Sequence, residues 1–420
     1  MERKLEEFEA AHPFVEVVFV PVEWRDMRSL LDSAKEAGRL PDLAPFDLSS
    51  GGVSLAEVEA GLLEPADDLI ADIDDLSPEA RASYTHAGQL WGFPVAMTAH
   101  ALLLNLDIFA ERGVTPPADG KWTWDEFVET CRQLTFDRDG DRKTDVWGFA
   151  TYVLPGYYEV WPFLYAGGAR PLSEDLLDYT FDSPEAVAAL EDLADLIHGQ
   201  GFAHPSTGTA AVRTVFDLFA RAEQQKVAIE PWSAWAIDYL RSEEGTIKNF
   251  AVAEYPTLTG VSNGGGPGGG AGVPGPDTAA PPVIGGTAGF VLFRHGDAYR
   301  RSQAAALANY LTSAASQYEL ARGYHVFPAR RAAIDLDPFD GDPVYQKAAE
   351  IAFHAESLPK HPRWPEIERV IQREIQMVLL GIKDAAEALR DAGEVIQPIL
   401  APPPEIPPQD GDSPGGGEGG

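Results

Sequence analysis

"AGQLWGFPVAMTAHALLLNLDIFAERG", residues 87–113, is a long, weakly charged and mostly apolar run in a chain with 32 basic and 66 acidic side chains. Three readings compete: a membrane span, a buried strand, or one wall of a binding site. A spanning helix needs about 18–20 uninterrupted apolar residues, and His100, Asn105 and Asp107 interrupt this run. It is therefore no span. Its apolar residues gather instead into two strand-like pieces, Leu90–Pro94 and Ala101–Leu106.

The same charge balance sorts partners. A formal charge of −34 repels nucleic acid phosphates and anionic lipid surfaces, so both are set aside. With 420 residues, 45% of them hydrophobic, the chain buries a large core, and its length suggests two lobes or domains. Cys131 is the single cysteine, which excludes an internal disulfide and any cysteine-cluster metal site. The start, "MERKLEEFEAAHPFVEVVFVPV", has the pattern of a charged helix over Glu2–Ala11 and an alternating strand over Phe14–Val20, not of a signal peptide.

Further along, helix and strand patterns alternate. Helices are predicted over Asp26–Ala37, Leu55–Ala60, Trp124–Leu134, Ser183–His198 and Thr214–Ala222, the third opened by Thr123 as N-cap with Glu126 three residues on. Strands are predicted in "LPDLAPFDL", Asp145–Tyr152, "QQKVAIEPWSAW" (turning into a helix), "NFAVAEYP" and "TAGFVLF". Long helices follow over Tyr299–Gly323, Val344–Ala355, Trp364–Leu380 and Ile382–Ala392. Residues 260–284 are Gly/Pro-rich and read as a flexible insertion, and 401–420 as a disordered tail. The alternation argues for an α/β fold with mostly parallel sheets and helices on both faces.

No catalytic constellation stands out: G-x-S-x-G, H-E-x-x-H and a phosphate loop ending in Lys are all missing. Aromatic residues do stand out. Tyr157, Tyr158, Trp161, Phe163 and Tyr165 fall within nine residues, and "EPWSAW" holds Trp232 and Trp235. Core packing explains Phe163 and Tyr165. Trp161 and Trp232 adjoin prolines in predicted loops, where a ring is free to stack on the apolar face of a sugar. In "DRDGDRKTDVWG", Asp137, Asp139, Asp141 and Asp145 follow a 1, 3, 5, 9 calcium-loop count, but Gly140 is two places early and position 12 is Gly148. A structural calcium there competes with a plain Asp-rich turn; no other cofactor is expected.

Several segments, in order, resemble one family. They are "LEEFEAAHPFVEVVFVPV", "LPDLAPFDLSS…GLLEPADDLI", "GQLWGFPVAMTAHALLLNLDIFAERGVTPPADGKWTWDEFVETCRQLT", "WPFLYAGGA…FDSPEAVAALEDLADLI", "KVAIEPWSAW" and "GGTAGFVLF…AAALANYLTSAASQYELA…GYHVFPAR". Together they are similar to the solute-binding proteins of ABC importers, in the carbohydrate-binding branch that includes maltose-binding protein. The resemblance implies two hinged α/β lobes of the type II periplasmic-binding-protein kind. Lobe one takes 1–98 and 285–312; lobe two takes 99–259 and the C-terminal helices of 313–400. It implies crossovers near Met97–Ala101, Thr257–Gly286 and Thr312–Gln317. Ligand contacts implied are Asp47, Ser49, Ser50, Met97, Thr98, His100, Tyr157, Tyr158, Trp161, Trp232, Gly286 and Thr287.

Family members normally begin with a signal peptide, often a lipoprotein one, and then a strand before the first helix. Here the helix comes first, so the fold is expected to lack that N-terminal strand, as in a truncated chain. The resemblance further implies a non-enzymatic carrier, expected as a monomer, that delivers a sugar or oligosaccharide to the permease subunits of an importer. Its location would be periplasmic or extracellular, membrane-anchored as a lipoprotein if the native N-terminus is longer. A carbohydrate hydrolase and a binder of another solute, such as a polyamine, are the competing readings.

Overall fold

The structure is a computed structural model that describes residues 2–22, 26–46, 53–221, 224–233, 235–242, 245–257, 285–324 and 326–400. The Gly/Pro-rich insertion and the C-terminal tail lie outside the described residues. Nine strands are formed among the described ones: β1 Leu43–Phe46, β2 Thr85–His86, β3 Gln89–Leu90, β4 Phe93–Asn105, β5 Trp147–Phe149, β6 Val227–Ser233, β7 Phe250–Ala253, β8 Gly285–Leu292 and β9 Phe327–Pro328.

β4 organises the molecule. The two strand-like pieces read from the sequence are parts of β3 and one continuous 13-residue strand. Thr98 and His100 do not break it, because a ladder is built from backbone groups whatever the side chain. Its first half pairs with β8, from Phe93↔Phe290 to Ala99↔Gly285, and briefly with β9. Its second half pairs with β6 on one side and β7 on the other. β1 extends the sheet beyond β8, and β5 beyond β6. The change of partners falls between Ala99 and His100.

The core follows the two faces of this strand, since successive side chains point to opposite sides. Leu102 and Leu104 enter one apolar cluster with Phe127, Phe149, Leu193, Ile371 and Leu389. Ala101 and Leu103 enter another with Phe216, Leu240, Val252 and Ile351. Phe93, at the start of β4, belongs to a third cluster with Leu31, Val53, Leu63, Val291 and Ala308. The result is a mixed α/β fold of two lobes strung on one strand.

Strand direction departs from expectation. Among the described strands only β5 and β6 pair in parallel; every other pairing is antiparallel. Alternating helix and strand predicts a parallel sheet when neighbours in sequence pair. Here β4 pairs with β8, far along the chain, and the direction of a distant pairing is not written in local alternation.

Other differences are local. Phe14–Val20, predicted as a strand, joins no ladder among the described residues, and Phe14 is in a turn. Phe14, Val18 and Val20 are 90%, 79% and 61% exposed, and the backbone is tied only by Val15 N–H to His12 O and Val17 N–H to Glu9 Oε1. An apolar alternating segment makes a strand only when another backbone lies beside it. The predicted helix Tyr299–Gly323 is two helices, Ala298–Leu311 and Ala314–Tyr324. The break at Thr312–Ser313 is stabilised by the Ser313 hydroxyl, which accepts from Ser316 N–H at 3.3 Å. The last helix runs Ala385–Leu400 rather than ending at Ala392, because its buried stripe continues through Ile396 and Leu400. Thr123 and Glu126 form the predicted reciprocal cap.

Candidate functional site

Where β4 changes partners, the strand ends and the loop before helix Trp161–Tyr165 bring aromatic and acidic side chains together. His100 on β4 lies opposite Ser233 on β6. Its ring is 5.4 Å from that of Tyr158, and its Nε2 is 3.7 Å from Glu159 Oε1. Tyr152, just past β5, packs against Tyr157 at 5.4 Å and Trp232 at 5.1 Å. Trp232 also packs on Phe216 at 4.5 Å and donates its indole N–H to Glu230 Oε2 at 2.8 Å. Tyr157 is 39% exposed and marks the open side of the cluster.

Much polar capacity here is unspent. His100 Nδ1, Glu159 Oε2, Tyr152 Oη and Glu230 Oε1 are buried without a hydrogen-bond partner. Leaving such groups unpaired costs about 1–3 kcal/mol each. Burial pushes the Glu159 carboxyl up to about 7 and the His100 imidazole down to about 3. A 3.7 Å His–Glu contact suggests an ion pair. Desolvation outweighs that attraction, so between these values both groups prefer their neutral forms. Burial also raises Glu230 well above the usual carboxylate range, partly offset by the Trp232 N–H.

The residues singled out from sequence divide into four sets. His100, Tyr157, Tyr158 and Trp232 belong to this cluster. Thr98, Gly286 and Thr287 meet nearby on the β4–β8 ladder, where Thr98 pairs with Gly286 and Met97 with Thr287. Their neighbour Gly285 must be glycine, since a Cβ there would sit 2.3 Å from Thr98 O. Met97 is a core residue whose sulfur accepts from the Ser77 hydroxyl at 3.2 Å. Asp47, Ser49 and Ser50 lie outside the described residues.

The two tryptophans correct the sequence reading. Neither occupies an open loop: Trp161 is fully buried among Tyr165, Phe181 and Trp364, and Trp232 is 1% exposed within β6. A neighbouring proline signals irregular backbone, but Pro162 occupies the first turn of a helix, which proline tolerates, and Pro231 lies in β6 beyond its last pairing with β5 at Phe149↔Ile229.

The aspartate loop brings three of its four candidates together. Asp137, Asp139 and Asp145 converge, with carboxylate oxygens within 4.8 Å of one another. Asp141 stays out and pairs with Lys143 at 3.0 Å. The converging carboxylates accept from the loop's own N–H groups, including Gly140 and Arg142 to Asp137, both at 2.6 Å.

Sequence reasoning missed Tyr152, Glu159 and Glu230. The two acids were visible as lone charges inside apolar runs, "YYEVW" and "VAIEPW", a pattern that points to burial with a purpose.

Comparison with known proteins adds to this geometry. A family model described as bacterial extracellular solute-binding protein matches residues 5–352. A putative binding protein of Brucella abortus is 23% identical over 411 residues, covering 94% of this chain and 88% of its own length. Maltose-bound MalE3 of T. maritima superposes with a TM-score of 0.75 at 21% identity, covering 95% of both chains. UgpB from Mycobacterium tuberculosis, in complex with glycerophosphocholine, does so with a TM-score of 0.77 at 18% identity, covering 95% of this chain and 94% of that one.

Proposed function

Because the chain belongs to the bacterial extracellular solute-binding protein family, we propose that it is the substrate-capturing subunit of an ABC importer, with a sugar or oligosaccharide as its cargo. The observation that carries the sugar reading is the aromatic cluster with unpaired polar atoms at the partner change of β4. Tyr157 and Tyr158 present ring faces, and His100, Glu159 and Tyr152 hold hydrogen-bonding capacity that ligand hydroxyls would use. A solved relative in this fold is bound to maltose, which supports the same class.

The carrier works without chemistry. Ligand contacts both lobes only when they are closed, so binding energy shifts the population toward closure, and the closed form docks on the permease. The carrier acts as a monomer outside the cytoplasm; among the described residues no helix is long and apolar enough to cross a membrane.

A thermal-shift screen of sugars, followed by calorimetry on Tyr157→Ala, tests the reading. The substitution removes a 39% exposed ring and should weaken sugar binding by at least about tenfold, or ~1.4 kcal/mol, while melting changes little. Unchanged affinity removes the aromatic platform, and turnover of a bound sugar would replace the carrier with a hydrolase.

A further inference from the structure

We infer that the ligand carries a protonated amine, an amino sugar in the terms of the sugar-binding reading on which this rests, and that the ammonium group is received by Glu159 among the rings of Tyr152, Tyr157 and Tyr158. Glu159 is 2% exposed, and its Oε2 has no partner at hydrogen-bond geometry; the Tyr152 hydroxyl is the one side chain near enough to favour its charged form. Its closest basic neighbour is His100 at 3.7 Å, which burial holds neutral. Among the described residues no lysine or arginine pairs with it. A carboxyl group in this position is costly for the empty protein in either protonation state.

The surroundings suit a cation better than a further hydroxyl. Tyr157 and Tyr158 directly precede Glu159 in the chain, and their rings pack on Tyr152 and His100 respectively. Aromatic faces attract ammonium groups, more strongly as water is excluded. A carboxylate within them supplies the counter-charge, and an ammonium group has three N–H donors for Glu159 Oε2 and Tyr152 Oη. The chain's formal charge of −34 also concentrates cationic solutes and repels anionic ones before any contact forms. Glu230 is not part of this receptor; it is already engaged by Trp232.

The test uses matched pairs that differ only by an amine in place of the C2 hydroxyl of each ring: D-glucosamine against D-glucose, D-galactosamine against D-galactose, and the chitosan trimer against cellotriose. Calorimetry on the full chain should find an amine member at least about tenfold tighter than its hydroxyl partner. Glu159→Gln keeps the shape and removes the negative charge, and should bring the two within about twofold. Its melting temperature, measured alongside, confirms a retained fold. A neutral sugar bound as tightly as its amine partner, or an amine preference surviving in Glu159→Gln, overturns this inference and leaves the sugar carrier standing. Silence of both members of every pair removes the sugar reading and this inference with it.

Discussion

Glu159 and His100 show how much one residue's surroundings decide. Burial raises the glutamate to about 7 from an ordinary 4.5 and lowers the histidine to about 3 from 6.5. A raised carboxyl contributes fully below the unfolded value and is lost as pH rises through the folded one. Glu159 therefore subtracts stability as pH climbs from 4.5 to 7, and His100 subtracts it as pH falls from 6.5 to 3. In Glu159→Gln the share of the alkaline loss due to Glu159 should disappear, that of the buried Glu230 remaining, while the acid side, to which His100 contributes, is unchanged. The variant should gain on the parent with rising pH, reaching about 3 kcal/mol above pH 7. Urea midpoints taken at pH 4.5, 6 and 8 would read this, and a constant difference would mean that Glu159 titrates normally. A lone charge among aromatic and apolar residues in "GYYEVWPF" hints at burial, but what buries it is not local. Its burial depends on β4 and Tyr152, which reach it only through the fold.

At the scale of elements, helix positions were legible and strand partners were not. Capping and apolar stripes are local signals, so the helix opened by Thr123 begins where its sequence says. Pairings such as Ala44↔Val291 and Phe93↔Phe290 join distant residues, and no local signal encodes them. One buried clamp shows how such elements are secured. Arg330, 3% exposed, donates to Thr312 O at 2.7 Å, Ala71 O at 2.8 Å and Asp72 O at 2.9 Å. Gln317 accepts from Arg330 N–H and donates to Thr312 O and Pro94 O. The register of β4 shifts between Pro94 and Ala96, next to that contact. The clamp thus ties residues 71–72 and the start of β4 to the helix break at Thr312. Arg330→Met removes the three donors and leaves Ala71 O without its partner, while Gln317 still donates to Thr312 O and Asp75 N–H to Asp72 O, for an expected loss of about 2–3 kcal/mol. A loss under ~1 kcal/mol in urea unfolding would show that solvent or neighbours replace it.

For the whole molecule, the stretch where the resemblance implied a crossover, near Met97–Ala101, is the shared middle of one strand. "VAMTAHA" holds both half-sheets, and the candidate site lies where it passes from one to the other. Two lobes joined by a continuous strand move as bodies only by twisting near that passage, and a ligand seated there biases their relation. Such coupling has a thermodynamic consequence independent of the sugar's identity. A ligand that binds only the folded, closed form stabilises it by RT ln(1 + [L]/Kd), about 2.7 kcal/mol at a hundred times Kd. In a chain of formal charge −34 any compaction works against self-repulsion, so part of the binding energy opposes it. Small-angle scattering with and without saturating ligand should therefore show a smaller radius of gyration in the bound state, accompanied by that stabilisation. Stabilisation of this size with an unchanged radius would mean that the site is already formed, and that the strand between the lobes is a brace rather than a hinge.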